Sequence, residues 1–194
     1  MPMTTRFQHA LTLACELHAT QTRKVSNVPY IAHLLAVAAI VLEHGGDEDE
    51  AIAALLHDAI EDQGGDATGQ EIFRRFGDRV FEIVIGCTDA HSTPKPPWRE
   101  RKEKHLAAMK SAMPSVCLVT AADKLHNAGS MIADFRRVGN SLWERFNGGR
   151  AGTLWYYRSM VEVLSHQGPP ELVATLRRAV CELETLGATT ANDR

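Results

Sequence analysis

Almost every periodic stretch of this chain repeats with the helical period, and no alternating run is long enough to compete as a strand. Apolar stripes spaced in this way are buried by packing helix on helix, so the expected fold class is all-α. At 194 residues the chain fits one domain with one continuous core.

Breakers divide the chain into helices. The first is expected over about residues 4–19, ended by the polar segment 21–27, and Pro29 opens the second, which Gly45-Gly46 stops. Acidic residues 47–50 suit the positive N-terminal end of the third helix, which runs to Gly64-Gly65 and carries the main motif. Thr68 with Glu71 reads as a capping box, and Gly77 separates two short helices over about residues 68–89. The proline-rich segment 91–97 reads as a loop. Helices follow at about 98–111 and 115–138, then a less regular stretch over 139–152, then helices at 153–166 and from Gly168-Pro169-Pro170 to about Gly187. The stripe of Leu154, Tyr157, Val161 and Leu164 reads as core rather than as a cofactor box. One domain over 1–187 with a frayed tail over 188–194 is therefore expected.

Composition removes several function classes. A formal net charge of -3 provides no basic excess for general adhesion to nucleic acid or anionic membrane. The longest wholly apolar run, residues 34–42, is far short of the roughly 20 residues of a membrane helix, and no signal-peptide pattern precedes it. Cys15, Cys87, Cys117 and Cys181 form no CxxC or Cys-His cluster and read as small buried hydrophobes in a reducing compartment. A cytoplasmic protein without nucleic-acid or membrane partners is expected.

The chemistry lies in ionisable residues set inside apolar helices. In residues 51–62, Ile52, Leu55, Leu56, Ala59 and Ile60 form a core stripe, with His57, Asp58 and Glu61 opposite and Asp62 at the edge. The turn before them offers only Ala51, Ala53 and Ala54 on that side, so the helix is expected to be buried almost all round. His33 is the only ionisable residue between Tyr30 and Leu42, and Asp123 ends the apolar run 116–122. A buried carboxylate needs a cation, either a metal or a basic side chain such as Lys124 or Arg136. Two imidazoles and two carboxylates without thiolate suit Mn²⁺, Fe²⁺, Zn²⁺ or Mg²⁺. Such an ion lowers the pKa of bound water and polarises a phosphoryl oxygen, and Glu61 and Asp62 stand where they would orient or deprotonate that water.

The order His33, His57-Asp58, Asp123 resembles the HD superfamily of metal-dependent phosphohydrolases. Arg23-Lys24, Pro29-Tyr30-Ile31 with His33, residues 53–58 with Glu61-Asp62, Gly86 with Thr88-Asp89, and residues 122–127 resemble the hydrolase domain of RelA/SpoT homologues. The short length is similar to the stand-alone small alarmone hydrolases. The resemblance spans about residues 7–184 and implies a compact helical bundle that hydrolyses the 3′-pyrophosphate of guanosine alarmones such as ppGpp and pppGpp, usually with Mn²⁺. It implies His33, His57, Asp58 and Asp123 as metal ligands, Glu61 and Asp62 as catalytic, Arg23 and Lys24 as nucleotide contacts, and Asn127 beside the ribose.

The chain departs from the family pattern in three places. Residues 25–28 stand where a glycine-containing turn is expected, Leu34 where proline commonly follows the histidine, and Gly129 where a basic residue is common. Removal of the 2′-phosphate from NADPH and a binding module without turnover are the alternative functions. The segments 143–158 and Arg99 to Lys104 are readable either as pocket wall and phosphate contacts or as packing and solvated charge.

Overall fold

The computed structural model describes residues 2–89 and 96–189. Helix α1 (Thr5–Leu17) is capped by Thr4, whose hydroxyl accepts from the Arg6 N–H. The chain then turns through a single antiparallel bridge between Thr22 and Pro29. Helix α2 (Ile31–Glu43) begins two residues after Pro29, because Pro29 is used in that bridge rather than in the first turn.

Helix α3 (Glu48–Leu56) starts from a complete capping box made by Asp47 and Glu50. It ends at His57, and a separate turn, α4 (Ala59–Asp62), follows the bend at Asp58. The main motif thus sits on a broken helix, not the single helix the periodicity predicts. Helices α5 (Asp66–Phe76) and α6 (Asp78–Cys87) flank Gly77, whose φ of 88° is open to glycine at no steric cost. The expected capping box at Thr68 and Glu71 is absent. Gly64 and Gly65, both at positive φ, let α5 start at Asp66, so Thr68 lies inside it and its hydroxyl donates to the Gln63 carbonyl.

Helix α7 (Trp98–Met109) is followed by α8 (Pro114–Val138), with Pro114 in the first turn as expected. A 3-10 segment (Gly139–Arg145), α9 (Gly149–Gln167) and α10 (Pro170–Thr189) complete the chain. Most of the expected 91–97 loop and of the 188–194 tail lies outside the described residues; Pro96 and Pro97 are non-helical, and α10 extends past Gly187. No strand occurs among the described residues.

Helix α3 is the centre of the bundle. Every residue from Ala51 to Leu56 is fully buried, and α3 packs against α1, α2, α6 and α8. Its alanines let four neighbours approach one short helix, while Ile52, Leu55 and Leu56 fill the remaining space. Leu154, Tyr157, Val161 and Leu164 are buried, so that stripe belongs to the core. The cysteines depart from expectation: Cys117 is buried and Cys87 partly so, but Cys15 and Cys181 are exposed because they lie on the outer faces of α1 and α10. No described helix is long and apolar enough to cross a membrane.

Candidate metal centre and nucleotide pocket

Three elements bring four side chains to one point: α2 supplies His33, the α3–α4 junction His57 and Asp58, and α8 Asp123. Adjacent residues on an unbroken helix point about 100° apart and do not face one another. At the α3–α4 junction the two neighbours nonetheless converge, and Asp58 Oδ2 lies 3.0 Å from His57 Nε2 and 3.7 Å from His33 Nε2. From α8, Asp123 Oδ1 approaches the same two nitrogens at 3.5 and 3.2 Å.

The tautomer of His57 follows from its other nitrogen. Nδ1 lies 2.8 Å from the Ala54 carbonyl, an acceptor, so Nδ1 carries the hydrogen and a neutral ring turns its Nε2 lone pair into the cluster. Both His33 Nε2 and His57 Nε2 are buried without a hydrogen-bond partner. Two orphaned imidazole nitrogens facing two carboxylate oxygens form a donor set that fits a divalent cation, and His33, His57 and Asp58 form a group compact enough to hold one.

The candidate ligand side chains are themselves held. The Tyr30 hydroxyl donates to Asp58 Oδ2 at 2.6 Å, and Lys124 Nζ donates to Asp123 Oδ2 at 2.6 Å. Asn127 donates to Asp123 Oδ1 and accepts from Arg23 Nη2 at 2.7 Å. His126 Nδ1 stands 2.8 Å from His33 Nδ1. Burial, with His33 and Arg23 close by, pushes the His126 pKa down to about 4, so that ring is neutral. Burial opposes charge on His57, yet Asp58 and Asp123 outweigh it and raise its pKa well above the usual range. Burial likewise opposes charge on Asp58 and Asp123, but His57 beside Asp58 and Lys124 beside Asp123 hold both carboxyls well below theirs. Lys124 is thus the basic partner of Asp123, whereas Arg136 pairs with Glu182 at 2.6 Å on the surface.

A cavity of ≈350 Å³ opens beside the cluster, and Asp58, Asp123, Glu61, Asp62, Arg23, Lys24 and Asn127 all line it. Glu61 is half-buried with its Oε1 3.6 Å from Arg101 Nη1, while Asp62 is exposed at the rim and accepts from Gln21 Nε2 at 2.8 Å. Neither joins the compact His33, His57, Asp58 group.

The two ambiguous segments divide. In α7, Arg101 and Lys102 reach inward to Asp89, Arg99 lies 3.3 Å over the Trp155 ring, and Lys104 is exposed. Burial opposes the Asp89 carboxylate, but Lys102 and Arg101 hold its pKa at about 2. Phe146, Tyr156 and Tyr157 line the cavity, whereas Trp143 packs on Phe135 and Arg158 pairs with Glu184. Gly129 is exposed with open space around it, so no side chain reaches the pocket from there.

Sequence reasoning assigned no role to Tyr30, His126, Asp89 or Gln21, although the first three lie within the motifs that carried the resemblance. Their partners are 28 and 93 residues away for Tyr30 and His126, distances that helical periodicity does not connect.

The model of the HD domain family matches residues 10–154, and the chain belongs to that family. It is 38% identical over 137 residues to the guanosine-3′,5′-bis(diphosphate) 3′-pyrophosphohydrolase MESH1 of Xenopus tropicalis, a match covering 69% of this chain and 72% of that protein. It is 37% identical over 138 residues to the bifunctional (p)ppGpp synthase/hydrolase SpoT of Escherichia coli K12, covering 68% of this chain and 19% of SpoT. The chain spans between a sixth and a fifth of the length of such long relatives, 17% for the Aquifex aeolicus guanosine-3′,5′-bis(diphosphate) 3′-pyrophosphohydrolase. The solved structure of a metazoan orthologue of SpoT that hydrolyses ppGpp superposes with a TM-score of 0.75 over 92% of this chain and 96% of that one, at 24% identity, which speaks to the fold.

Proposed function

We propose that this chain is a metal-dependent phosphohydrolase that removes the 3′-pyrophosphate of guanosine alarmones such as ppGpp and pppGpp in the cytoplasm, with Mn²⁺ as its cation. The observation that carries the metal is the pair of buried, unpartnered Nε2 atoms of His33 and His57 facing Asp58 and Asp123. The names of the relatives support the substrate, and a cavity of ≈350 Å³ with acidic, basic and aromatic walls suits a small nucleotide rather than a polymer.

His33, His57, Asp58 and Asp123 would hold the ion. A divalent cation bound there supplies a water of lowered pKa and polarisation of a phosphoryl oxygen. Glu61 and Asp62 accept and pass on the proton of the attacking water. The water oxygen bonds to the ribose-proximal 3′ phosphorus, the P–O3′ bond breaks, pyrophosphate departs, and the 3′ oxygen takes up a proton. Arg23 stacks its planar guanidinium on the base, Lys24 meets phosphate as a point charge, and Asn127, which bonds Asp123 and Arg23, contacts the ribose.

The test incubates metal-reconstituted protein with ppGpp, pppGpp and NADPH and identifies the products by chromatography. Pyrophosphate and GDP from ppGpp are expected, with metal content and turnover both lost in His57→Ala and Asp58→Ala. Orthophosphate from NADPH without any turnover of ppGpp overturns the alarmone reading. Full metal occupancy in both variants, by elemental analysis, removes these residues as ligands.

A further inference from the structure

Asp62 is an exposed carboxylate on a four-residue helix. Gln21, just beyond α1, bonds it across 41 positions of sequence, with its Nε2 2.8 Å from Asp62 Oδ2. The direction of that contact is decided by chemistry. An ionised carboxylate only accepts, so the Gln21 atom facing it must be the amide nitrogen. The Gln21 oxygen therefore faces the other way, where it meets His18 Nδ1 at 2.7 Å and Gln63 Nε2 at 2.7 Å. Both must donate to it. His18 is 3% exposed and carries its hydrogen on Nδ1 for this reason, which leaves His18 Nε2 as the buried nitrogen without a partner. The His18 ring also stacks on Tyr30, 5.2 Å between centroids, and Tyr30 bonds Asp58.

We infer that Gln21 is a positioning residue: His18 and Gln63 lock its amide so that its N–H holds Asp62 toward the pocket for the hydrolytic step. An amide with both ends engaged cannot flip without turning its oxygen onto a carboxylate and its nitrogen onto two donors. The arrangement thus gives the Gln21–Asp62 bond one preferred orientation. The same turn that ends α1 supports Asp62 through Gln21 and Asp58 through the His18–Tyr30 stack, which ties the rim to the metal centre. This inference rests on the proposal that Asp62 serves the attacking water.

The experiment is a double-mutant cycle between Gln21→Leu and Asp62→Asn, read as kcat and KM for ppGpp with Mn²⁺, alongside metal content and melting temperature. Gln21→Leu is expected to lower kcat by about 10- to 100-fold, the usual effect of losing an outer support, with KM and metal content unchanged within about twofold. Added to Asp62→Asn, it is expected to cost nothing further. Gln63→Met, which removes one of the two locking donors and leaves Gln21 in place, is expected to give a smaller loss of kcat of the same kind. An inactive Asp62→Asn beside a wild-type Gln21→Leu overturns the inference and leaves the proposed function standing, as do losses that multiply in the double variant. A wild-type Asp62→Asn overturns the role of Asp62 and this inference with it, while ppGpp turnover by the unsubstituted protein stands as the separate test of the function.

Discussion

Replacing Tyr30 with phenylalanine removes one oxygen from the outer side of the candidate metal centre and tests whether the proposed ligands need their supports. The hydroxyl donates to Asp58 Oδ2 at 2.6 Å, and burial together with Asp58 pushes the phenol pKa far above its usual range, so it is a donor at every working pH. Phenylalanine keeps the ring, which stacks on His18 at 5.2 Å and meets His33 edge-on at 5.3 Å, so packing is conserved. A hydrogen bond to a charged group contributes about 1.5–3 kcal/mol, or roughly 10- to 100-fold in an equilibrium constant. The Asp58 side chain is 24% exposed, so water replaces part of the lost bond, and the expected loosening of metal binding falls at about tenfold, the lower end of that range. The assay is a competition titration of Mn²⁺ or Zn²⁺ against a chromophoric chelator. A dissociation constant within about twofold of the unsubstituted protein, the metal content of the loaded form being equal, refutes the argument that outer hydrogen bonds hold the centre together.

Metal binding is expected to be proton-linked. In the apoprotein the raised His57 pKa contributes stability that is fully present below its unfolded value of about 6.5 and is lost as pH rises through the folded value, while the lowered Asp58 and Asp123 contribute above about pH 4 and lose it as pH falls through theirs. An incoming cation displaces the His57 proton, so affinity should rise by about tenfold per pH unit up to the folded His57 pKa and then level off; calorimetry in buffers of different ionisation enthalpy reads the released proton, and a pH-independent affinity contradicts the assignment. Gly148→Ala would set a methyl 2.6 Å from the Trp98 indole, a rigid group, and is expected to destabilise by about 1–3 kcal/mol in denaturant titration, with an unchanged midpoint counting against a tight α7–α9 contact. Arg23→Ala should chiefly raise KM for a guanine nucleotide and Lys24→Ala should weaken substrate in a more salt-dependent way; equal, salt-independent effects would show that the two residues do not divide base and phosphate between them.

The helical period determined the all-α class, and isolated polar residues inside apolar runs were enough to single out His33 and Asp123, because a buried imidazole or carboxylate needs a partner. The family resemblance marked Arg23 and Lys24, and both line the cavity. What the pattern could not provide was the bend between α3 and α4. Residues 51–62 read as one helix because their apolar spacing continues through the break, yet α3 ends at Leu56 and neighbours His57 and Asp58 meet at the junction before α4. Nor could the pattern choose the partner of Asp123: Lys124 and Arg136 were both available, and only the path of α10 shows Arg136 engaged by Glu182. The supports supplied by Tyr30, His126, Asp89 and Gln21 were decided by tertiary structure alone. Periodicity reports which face of a helix is buried, but a hydrogen bond between side chains 28 to 93 residues apart depends on how separate helices are set against each other, and that is fixed only when the whole core packs.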